Sequence, residues 1–339
     1  MPLPLSRLAD IFLAPVTRLF DHSEQTLWVS YLGALMVAIF YYLWHRRHRK
    51  TSLKGLRRYL FPKKLIQHPS TRLDLKMYLF SSLYLALQSI LLFGGMDGLS
   101  QLLLHLTEPL TGAGATAHPL PLWALIVLPP VIYLTLEFGY WLAHYLLHHI
   151  PWLWEFHKVH HSAEIMTPLT EWRQHPVEFF LVPFVMGITT SVVLAIIEWF
   201  LGPNLIYALL WNPNLILLGF VITYLHLRHS HVKLSATGWL GHILQSPAHH
   251  QIHHSTDPRH FDKNLGFCLS VWDYVFGTLY LPKKGEILTL GLYDERGDKD
   301  ELVTSTSLWR HMILPFQRIW AITRPGPRPH PVALPTSPQ

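Results

Sequence analysis

Five long apolar stretches limit the folds open to this chain, because each is about as long as the roughly 20 residues that cross a bilayer core. They cover residues 27–44, 77–93, 120–142, 179–201 and 205–225. The chain is 50% hydrophobic and only 14% charged, which fits membrane segments better than two soluble domains. The sequence therefore predicts an all-α, polytopic membrane protein with four to five transmembrane helices.

Positive charge is concentrated between the first two apolar stretches, where residues 46–76 hold eleven of the 27 Lys and Arg residues. A basic run can bind nucleic acid, but between two membrane segments it fits the positive-inside rule better. We therefore expect no nucleic-acid partner, and we place this loop in the cytoplasm. The expected location is a multi-pass position in a bacterial inner membrane.

The remaining segments complete the predicted domain organisation. Apolar residues recur at helical spacing in residues 1–26, which indicates an interfacial helix rather than a cleaved signal peptide. Residues 27–300 are expected to form the membrane-embedded domain, and residues 301–323 a C-terminal interfacial helix. The Pro-rich residues 324–339 are predicted to be a disordered tail.

Histidines form four groups at helical spacing. His144 and His148 are four residues apart, so they point the same way from one helix. Pro151 follows them, at a place where one helix can end and another begin. The ten candidate ligands are His144, His148, His157, His160, His161, His226, His229, His250, His253 and His254.

Ten imidazoles are too many for one four-coordinate ion, so we expect two metal ions. Imidazole suits iron, zinc, copper and nickel, so the ligand type leaves the metal open. Cys268 is the only cysteine, which excludes an intrachain disulfide and a thiolate cluster. With the basic loop in the cytoplasm, successive spans deliver the histidine groups to the cytoplasmic face, where the sequence predicts a helical metal site.

Two charged residues near the histidines have alternative roles. Glu137 lies two turns before His144 in a spanning segment, where an ionisable group is costly. It either accepts the free ring N–H of a ligand histidine, or is solvated at the membrane interface. Arg173 either anchors to phosphate headgroups or ties the metal helices to the membrane part through a buried carboxylate.

The order of these motifs resembles the fatty acid hydroxylase superfamily, also called the sterol desaturase family. The resemblance spans about residues 130–282 and includes HxxxH, HxxHH, a His pair and a second HxxHH. Arg-x-His-Pro follows the second box, and Asn-x-Gly and Trp-Asp-x-x-Phe-Gly-Thr follow the last. It implies a membrane di-iron oxygenase that activates O2 and oxidises a C–H bond of a lipid such as a sterol or fatty acyl chain.

The resemblance also implies site residues and partners. The ten histidines would be the iron ligands, and Arg173, Asn264 and Asp273 lie in the shared motifs and join Glu137 as candidate catalytic residues. Two iron ions would use O2 as co-substrate. Electrons would come from a separate ferredoxin or cytochrome, which the basic loop could dock.

The sequence departs from the family pattern at several places. Tyr145 stands where relatives commonly have Arg, and His149 and His249 double their neighbours. His231 follows Ser230 where the family pattern has Asn, so it could replace His226 or His229 in the third group.

Three functions compete at this point. The leading hypothesis is an O2-dependent lipid hydroxylase, or a desaturase that uses the same site. A transporter or sensor of divalent metal would place its site near the bilayer midplane, whereas these histidines lie at helix ends. A zinc-dependent lipid hydrolase would use a metal-bound water and a nearby base, and would work without oxygen.

Overall fold

The computed structural model describes residues 28–48, 51–82, 84, 98–99, 101–103, 105–106, 121–201, 215–294 and 296–323. The predicted N-terminal interfacial helix and Pro-rich tail lie outside these residues. So do most of the predicted span over 77–93 and the first half of the one over 205–225. Within the described ranges the chain is mostly helical, and β pairing is limited to isolated bridges.

The helices are numbered here in chain order. They are α1 (Trp28–His45), α2 (Leu53–Leu60), α3 (Lys63–Ile66), α4 (Pro69–Ser81), α5 (Leu122–His149), α6 (Pro151–His161), α7 (Pro176–Leu201), α8 (Leu215–Thr223), α9 (Leu225–Arg228), α10 (Gly238–Ile243), α11 (Pro247–His253), α12 (Val271–Val275), α13 (Glu301–Thr304) and α14 (Leu308–Thr323). Short 3₁₀ turns cover Pro168–Trp172 and Pro258–His260.

Three of the described helices, α1, α5 and α7, are long and apolar enough to cross a membrane. They coincide with three of the five predicted spans, so the all-α polytopic prediction is confirmed. With 28 residues, α5 is about 42 Å long, which exceeds the roughly 30 Å of a bilayer hydrocarbon core. We therefore expect its last turns, which carry His144 and His148, to extend beyond the apolar layer.

Helices α5 and α7 pack closely against each other at Gly139. A Cβ atom at this position would lie 2.4 Å from Oγ1 of Thr189 and 2.7 Å from Cα of Met186. Only glycine permits this approach of the two backbones. The close packing holds the start of α7 beside the end of α5, where the histidines begin.

The chain turns sharply between α5 and α6, as Pro151 predicts. Ile150 is in an extended conformation, and Pro151 starts the next helix at a position that needs no N–H donor. The HxxxH and HxxHH motifs therefore lie on two consecutive helices.

An apolar core joins α6 to the C-terminal part of the chain. Val159 of α6 packs with Leu73 and Met77 of α4, Leu302 of α13 and Met312 of α14. The helix predicted over residues 301–323 is two helices, α13 and α14, separated by residues 305–307. Its position at a membrane surface stays a prediction.

Candidate metal centre

Nine histidines form two buried groups that could each hold a metal ion. The first, cluster one, consists of His144, His148, His157, His161 and His253. The second, cluster two, consists of His160, His229, His250 and His254. Within each cluster, one ring nitrogen per residue lies within 4.8 Å of every other, and only His148 is partly exposed.

The helical phase explains how two helices serve both clusters. On α6, His157 and His161 are four residues apart and point into cluster one, while His160 points into cluster two. On α11, His253 joins cluster one and His250 joins cluster two. The two clusters are therefore direct neighbours, and helices α6 and α11 contribute histidines to both of them.

The spacing of the inner ring nitrogens fits a metal shell. In cluster one, Nε2 of His157 lies 3.1 Å from Nε2 of both His144 and His161. In cluster two, Nε2 of His229 lies 2.8 to 3.3 Å from Nε2 of His250, His160 and His254. Nitrogens bound about 2.0–2.1 Å from one ion would be roughly 3.0 Å apart in an octahedral shell and 3.4 Å in a tetrahedral one.

Backbone carbonyl groups fix the outer nitrogens of three rings. Nδ1 is the donor in each pair, at 2.8 Å from His144 to Leu265, 3.2 Å from His160 to Arg173 and 2.8 Å from His253 to Lys263. Because a carbonyl oxygen can only accept, Nδ1 carries the hydrogen and the inner Nε2 keeps a lone pair for a metal.

Carboxylates lie beside the outer nitrogens of three further rings. The pairs are His148 with Asp262 at 3.0 Å, His157 with Glu178 at 3.0 Å and His229 with Glu171 at 2.7 Å. A carboxylate in this position orients the ring and makes it a stronger ligand. His250 differs, because Arg228 donates to its Nδ1 at 2.9 Å.

Without a cation, the inner nitrogens of the histidine rings cannot all form hydrogen bonds with each other. A neutral ring nitrogen offers one hydrogen or one lone pair, so Nε2 of His229 can form a hydrogen bond with only one of its three Nε2 neighbours. Lone pairs that face each other at such distances repel. The donor set therefore fits a pair of metal ions.

Burial favours the neutral form of six of the cluster rings, which is the form that binds a metal. Outside the membrane-spanning helices, it lowers the pKa of six of these histidines well below their usual range, and neighbouring rings and Arg228 add to the effect. These six are His157, His160, His161, His250, His253 and His254.

One short segment orients three rings of cluster one. Residues 262–265, which we call the orienting loop, supply the Asp262 carboxylate to His148, and the Lys263 and Leu265 carbonyl groups to His253 and His144. Asp262 and Asn264 have φ of 57° and 58°, a left-handed conformation that Asp and Asn tolerate better than most residues. The two left-handed residues allow closely spaced acceptors to face one site.

The predicted catalytic residues Asn264 and Asp273 brace this loop from outside the clusters. Asn264 accepts the N–H of Tyr280 at 2.8 Å and donates to the carbonyl groups of Tyr280 and His249 at 3.0 Å. Asp273 accepts the N–H groups of Leu265 at 2.8 Å and Gly266 at 2.9 Å. Both side chains therefore contact backbone groups and support the histidines of cluster one through the orienting loop.

The structure gives Glu137 a different partner from the one expected. Its carboxylate accepts the backbone N–H groups of Cys268 and Leu269, each at 3.0 Å, rather than a histidine ring N–H. It is 3% exposed, so it is not solvated at an interface either. Glu137 therefore fixes the segment that follows the orienting loop onto the spanning helix α5.

Arg173 pairs with a buried carboxylate, which was the second of the two roles that the sequence left open. Its guanidinium donates to Oδ1 of Asp74 at 2.6 Å and to the carbonyl and hydroxyl groups of Ser70 at 2.6 and 2.7 Å. Its own carbonyl accepts from His160. Arg173 thus connects α4 to a ring of cluster two.

Of the ten predicted ligands, only His226 lies outside both clusters. It stacks on Tyr31 of α1 with ring centroids 3.8 Å apart, and its Nε2 lies 2.8 Å from Oγ of Ser30. His229 joins cluster two because α9 ends at Arg228 and the backbone leaves the helical conformation at His229. The helical spacing that paired the two histidines in the sequence therefore does not apply.

The other histidines that the sequence singled out also lie outside the clusters. His231 is hydrogen-bonded to the carbonyl of Tyr59 at 2.7 Å, so it does not replace a ligand of the third group. Exposed His149 contacts the carbonyl of Tyr145, and buried His249 contacts the hydroxyl of Ser246.

Comparison with known proteins places these residues in a family. The family model described as fatty acid hydroxylase matches residues 129–278, which include both clusters and the orienting loop. Residues 129–278 are a fatty acid hydroxylase domain. The motifs that predicted this membership from the sequence are those that build the two clusters.

Curated relatives of the fatty acid hydroxylase domain are similar to part of this chain. The alkylglycerol monooxygenase of Homo sapiens is 30% identical over 146 residues, which cover 43% of this chain and 29% of the relative. That of Xenopus tropicalis is 29% identical over 161 residues, covering 46% and 31%. The ornithine lipid hydroxylase OlsE of Rhizobium tropici is 28% identical over 157 residues, covering 46% and 43%.

The similarity therefore spans less than half the length of each of these three relatives. No solved structure matches the chain significantly.

The sequence did not predict that three carboxylates would lie beside the outer nitrogens of the histidine rings. Glu171 and Glu178 flank the Arg-x-His-Pro motif, and Asp262 precedes the Asn-x-Gly motif. Their closeness to conspicuous motifs was the available signal. Their partners are far away in sequence, as for His148 and Asp262, which are 114 positions apart.

Proposed function

We propose that this protein is a membrane lipid hydroxylase whose two histidine clusters hold two iron ions. The observation that carries the proposal is the convergence of nine histidines, five and four to a cluster, at the end of the apolar helix α5. Iron ions bound there would activate O2, so that one oxygen atom is inserted into a lipid C–H bond and the other leaves as water, formed with two protons and two electrons from an external donor.

The protein residues supply orientation and a dry environment. The carbonyl and carboxylate acceptors around the clusters hold the rings with their lone pairs inward, and eight of the nine rings are buried. Exclusion of water would protect the oxidising chemistry from side reactions. Glu137, Arg173, Asn264 and Asp273 act on this arrangement from outside the clusters, as positioning residues.

We favour hydroxylation over desaturation, because the relatives are named as a monooxygenase and a hydroxylase. The lipids in their names, alkylglycerol and ornithine lipid, both combine an apolar chain with a polar head. We infer a substrate of that general class for this chain.

An external electron donor of ferredoxin or cytochrome type fits a surface close to cluster two. Helices α2 and α3 expose Lys54, Arg57, Arg58, Lys63 and Lys64. The neighbouring Tyr59 accepts a hydrogen bond from His231, two residues after the cluster residue His229. An acidic donor would be steered to this surface, which we place on the cytoplasmic face of a bacterial inner membrane.

The test uses the full chain reconstituted in lipid. We expect about two irons per chain by elemental analysis, and incorporation of one ¹⁸O atom from ¹⁸O₂ into a lipid alcohol. His148→Ala should abolish product and lower iron content, because it removes a ligand of cluster one. His149→Ala is the matched control, since its exposed ring belongs to neither cluster and contacts the carbonyl of Tyr145.

Other outcomes would select a competing function. Product formed without oxygen, with zinc as the bound metal, would indicate a hydrolase. Metal flux into proteoliposomes that His148→Ala stops would indicate a transporter.

A further inference from the structure

Two short helices beside the fatty acid hydroxylase site expose an unusual amount of apolar surface. The side chains, which we call the apolar ledge, are Trp239, Leu240 and Ile243 of α10, and Tyr274, Val275 and Phe276 at the end of α12. Trp239 is 74% exposed, Tyr274 63% and Val275 58%. Tyr274 also contacts the ring of His242 with 5.3 Å between centroids, so the two helices present one surface.

The ledge is attached directly to the spanning helix α5. The indole N–H of Trp272 donates to the carbonyl of Leu134 at 3.1 Å, and the Phe276 ring stacks on Trp141 at 4.3 Å between centroids. Leu134 is ten residues before His144, which corresponds to about 15 Å along the helix toward the middle of the span. Helix α12 therefore lies at a depth between the clusters and the centre of α5.

This depth decides what covers the ledge. Exposed apolar patches of more than a few hundred Å² are rare on soluble proteins, and burial of such surface gains about 25 cal/mol per Å². Leu134 is itself 37% exposed on the face of α5 that continues into the ledge. A bilayer that surrounds α5 would meet the ledge without any change in the protein.

Polar residues beside the apolar ledge indicate where the hydrocarbon core of the bilayer would end. A groove of about 440 Å³ beside the ledge is lined by residues that include His242, Tyr280 and Lys283. The Lys283 ammonium lies 5.1 Å from the centre of the Tyr280 ring and is exposed. Tyr and Lys in this order are suited to the headgroup region, with apolar parts toward the chains and polar ends toward water.

We propose that the apolar ledge is inserted in the bilayer leaflet nearest the two histidine clusters, with membrane lipid as its occupant. Asp273 of the same short helix braces the orienting loop, so α12 contacts lipid on one side and supports the metal site on the other. The proposal requires α5 to cross the membrane. It does not require iron or oxidation chemistry.

The test is a depth measurement on the full chain. A nitroxide is attached at Val275→Cys in a Cys268→Ala background, and the protein is placed in phosphatidylglycerol–phosphatidylethanolamine nanodiscs. Collisions with O2, which concentrates in lipid, and with a water-soluble nickel chelate are compared by electron paramagnetic resonance. We expect O2 collisions to dominate by several-fold.

Two control sites bracket the result. Phe184→Cys labels an exposed position of the spanning helix α7, and Asp298→Cys labels an exposed polar loop. The ledge should resemble Phe184, and Tyr274→Cys provides a second ledge site if the first variant folds poorly.

Two results would overturn the proposal. Nickel collisions equal to those at Asp298 would place the ledge in water, and shielding from both reagents would place a protein partner on it. Because neither readout depends on turnover, failure here is distinguishable from failure of the proposed oxygenase function.

Discussion

Single atoms on the outer side of the histidine rings decide how the centre is arranged. Three carbonyl oxygens and three carboxylates hold rings whose inner nitrogens converge. Of the three acceptors that the orienting loop offers to the histidine rings, only that of Asp262 is a side chain, so it can be altered without moving the backbone.

We predict that Asp262→Asn weakens metal binding at cluster one. The amide keeps the size of the side chain but removes the charge that strengthens His148 as a ligand, and such changes typically lower metal affinity about 10- to 100-fold. After dialysis against a chelator, elemental analysis should show close to one metal per chain instead of two.

Asp257→Asn is the control for this experiment. Asp257 lies five residues earlier and pairs with Arg259 at the surface, away from both clusters. Equal metal retention by the two variants would contradict an orienting role for Asp262.

At this scale the sequence predicted the histidines better than their partners. Helical spacing is a local property, and it identified eight of the nine cluster histidines from their phase. It misplaced His226 because the helix ends before His229. The acceptor of His144 is the carbonyl of Leu265, 121 positions away, which no local pattern can indicate.

At the scale of helices, a buried ion pair links α4 to the end of the 3₁₀ turn before α7. Asp74 is fully buried, Arg173 is 1% exposed, and Thr170 also donates to Asp74 at 2.8 Å. The sequence left the partner of Arg173 open because Asp74 precedes it by 99 positions.

We expect Arg173→Met to destabilise the fold by about 3–5 kcal/mol, because it leaves the Asp74 carboxylate buried without a cation. The double variant Asp74→Leu/Arg173→Met should recover part of this loss, since neither charge remains to be desolvated. The measurement is the thermal unfolding midpoint in detergent.

Arg259→Met serves as the comparison, because its ion pair with Asp257 is at the surface, where solvent screens the two charges, and should contribute little to stability. A double variant that is less stable than Arg173→Met alone would show that the pair has another role.

The molecule as a whole should lose stability in mild acid, because so many of its histidines are buried and neutral. In the unfolded chain these rings bind protons below about pH 6.5, whereas in the folded chain their pKa values are much lower. The unfolded state therefore binds more protons in that window, so the free energy of unfolding decreases as the pH falls.

We predict that the unfolding midpoint of the metal-free chain stays flat above pH 7 and falls steeply between pH 6.5 and 5. Each of the six histidines can contribute up to about 1.4 kcal/mol per pH unit. Asp273 opposes this slightly, because burial raises its pKa to about 6 against the hydrogen bonds from Thr278 and the loop backbone. A midpoint that is unchanged at pH 5.5 would contradict this account.

The parts of the architecture that depend on one local property of the sequence were predictable. Apolar length identified α1, α5 and α7, and Pro151 marked the break after α5. The apolar ledge was not predictable, because α10 and α12 are short helices whose exposed faces become a single surface only after they dock on α5.

Residues 262–265 also limit how the chain can change its length. Their acceptors are spaced one and two residues apart, and each serves a different ring of the same cluster. An inserted or deleted residue there would redirect every following carbonyl at once, so three ligands would lose their alignment together. Among the described residues, Gly297 and Asp298 of an exposed turn make no such contacts with the clusters, so we expect insertions there to be tolerated far more readily.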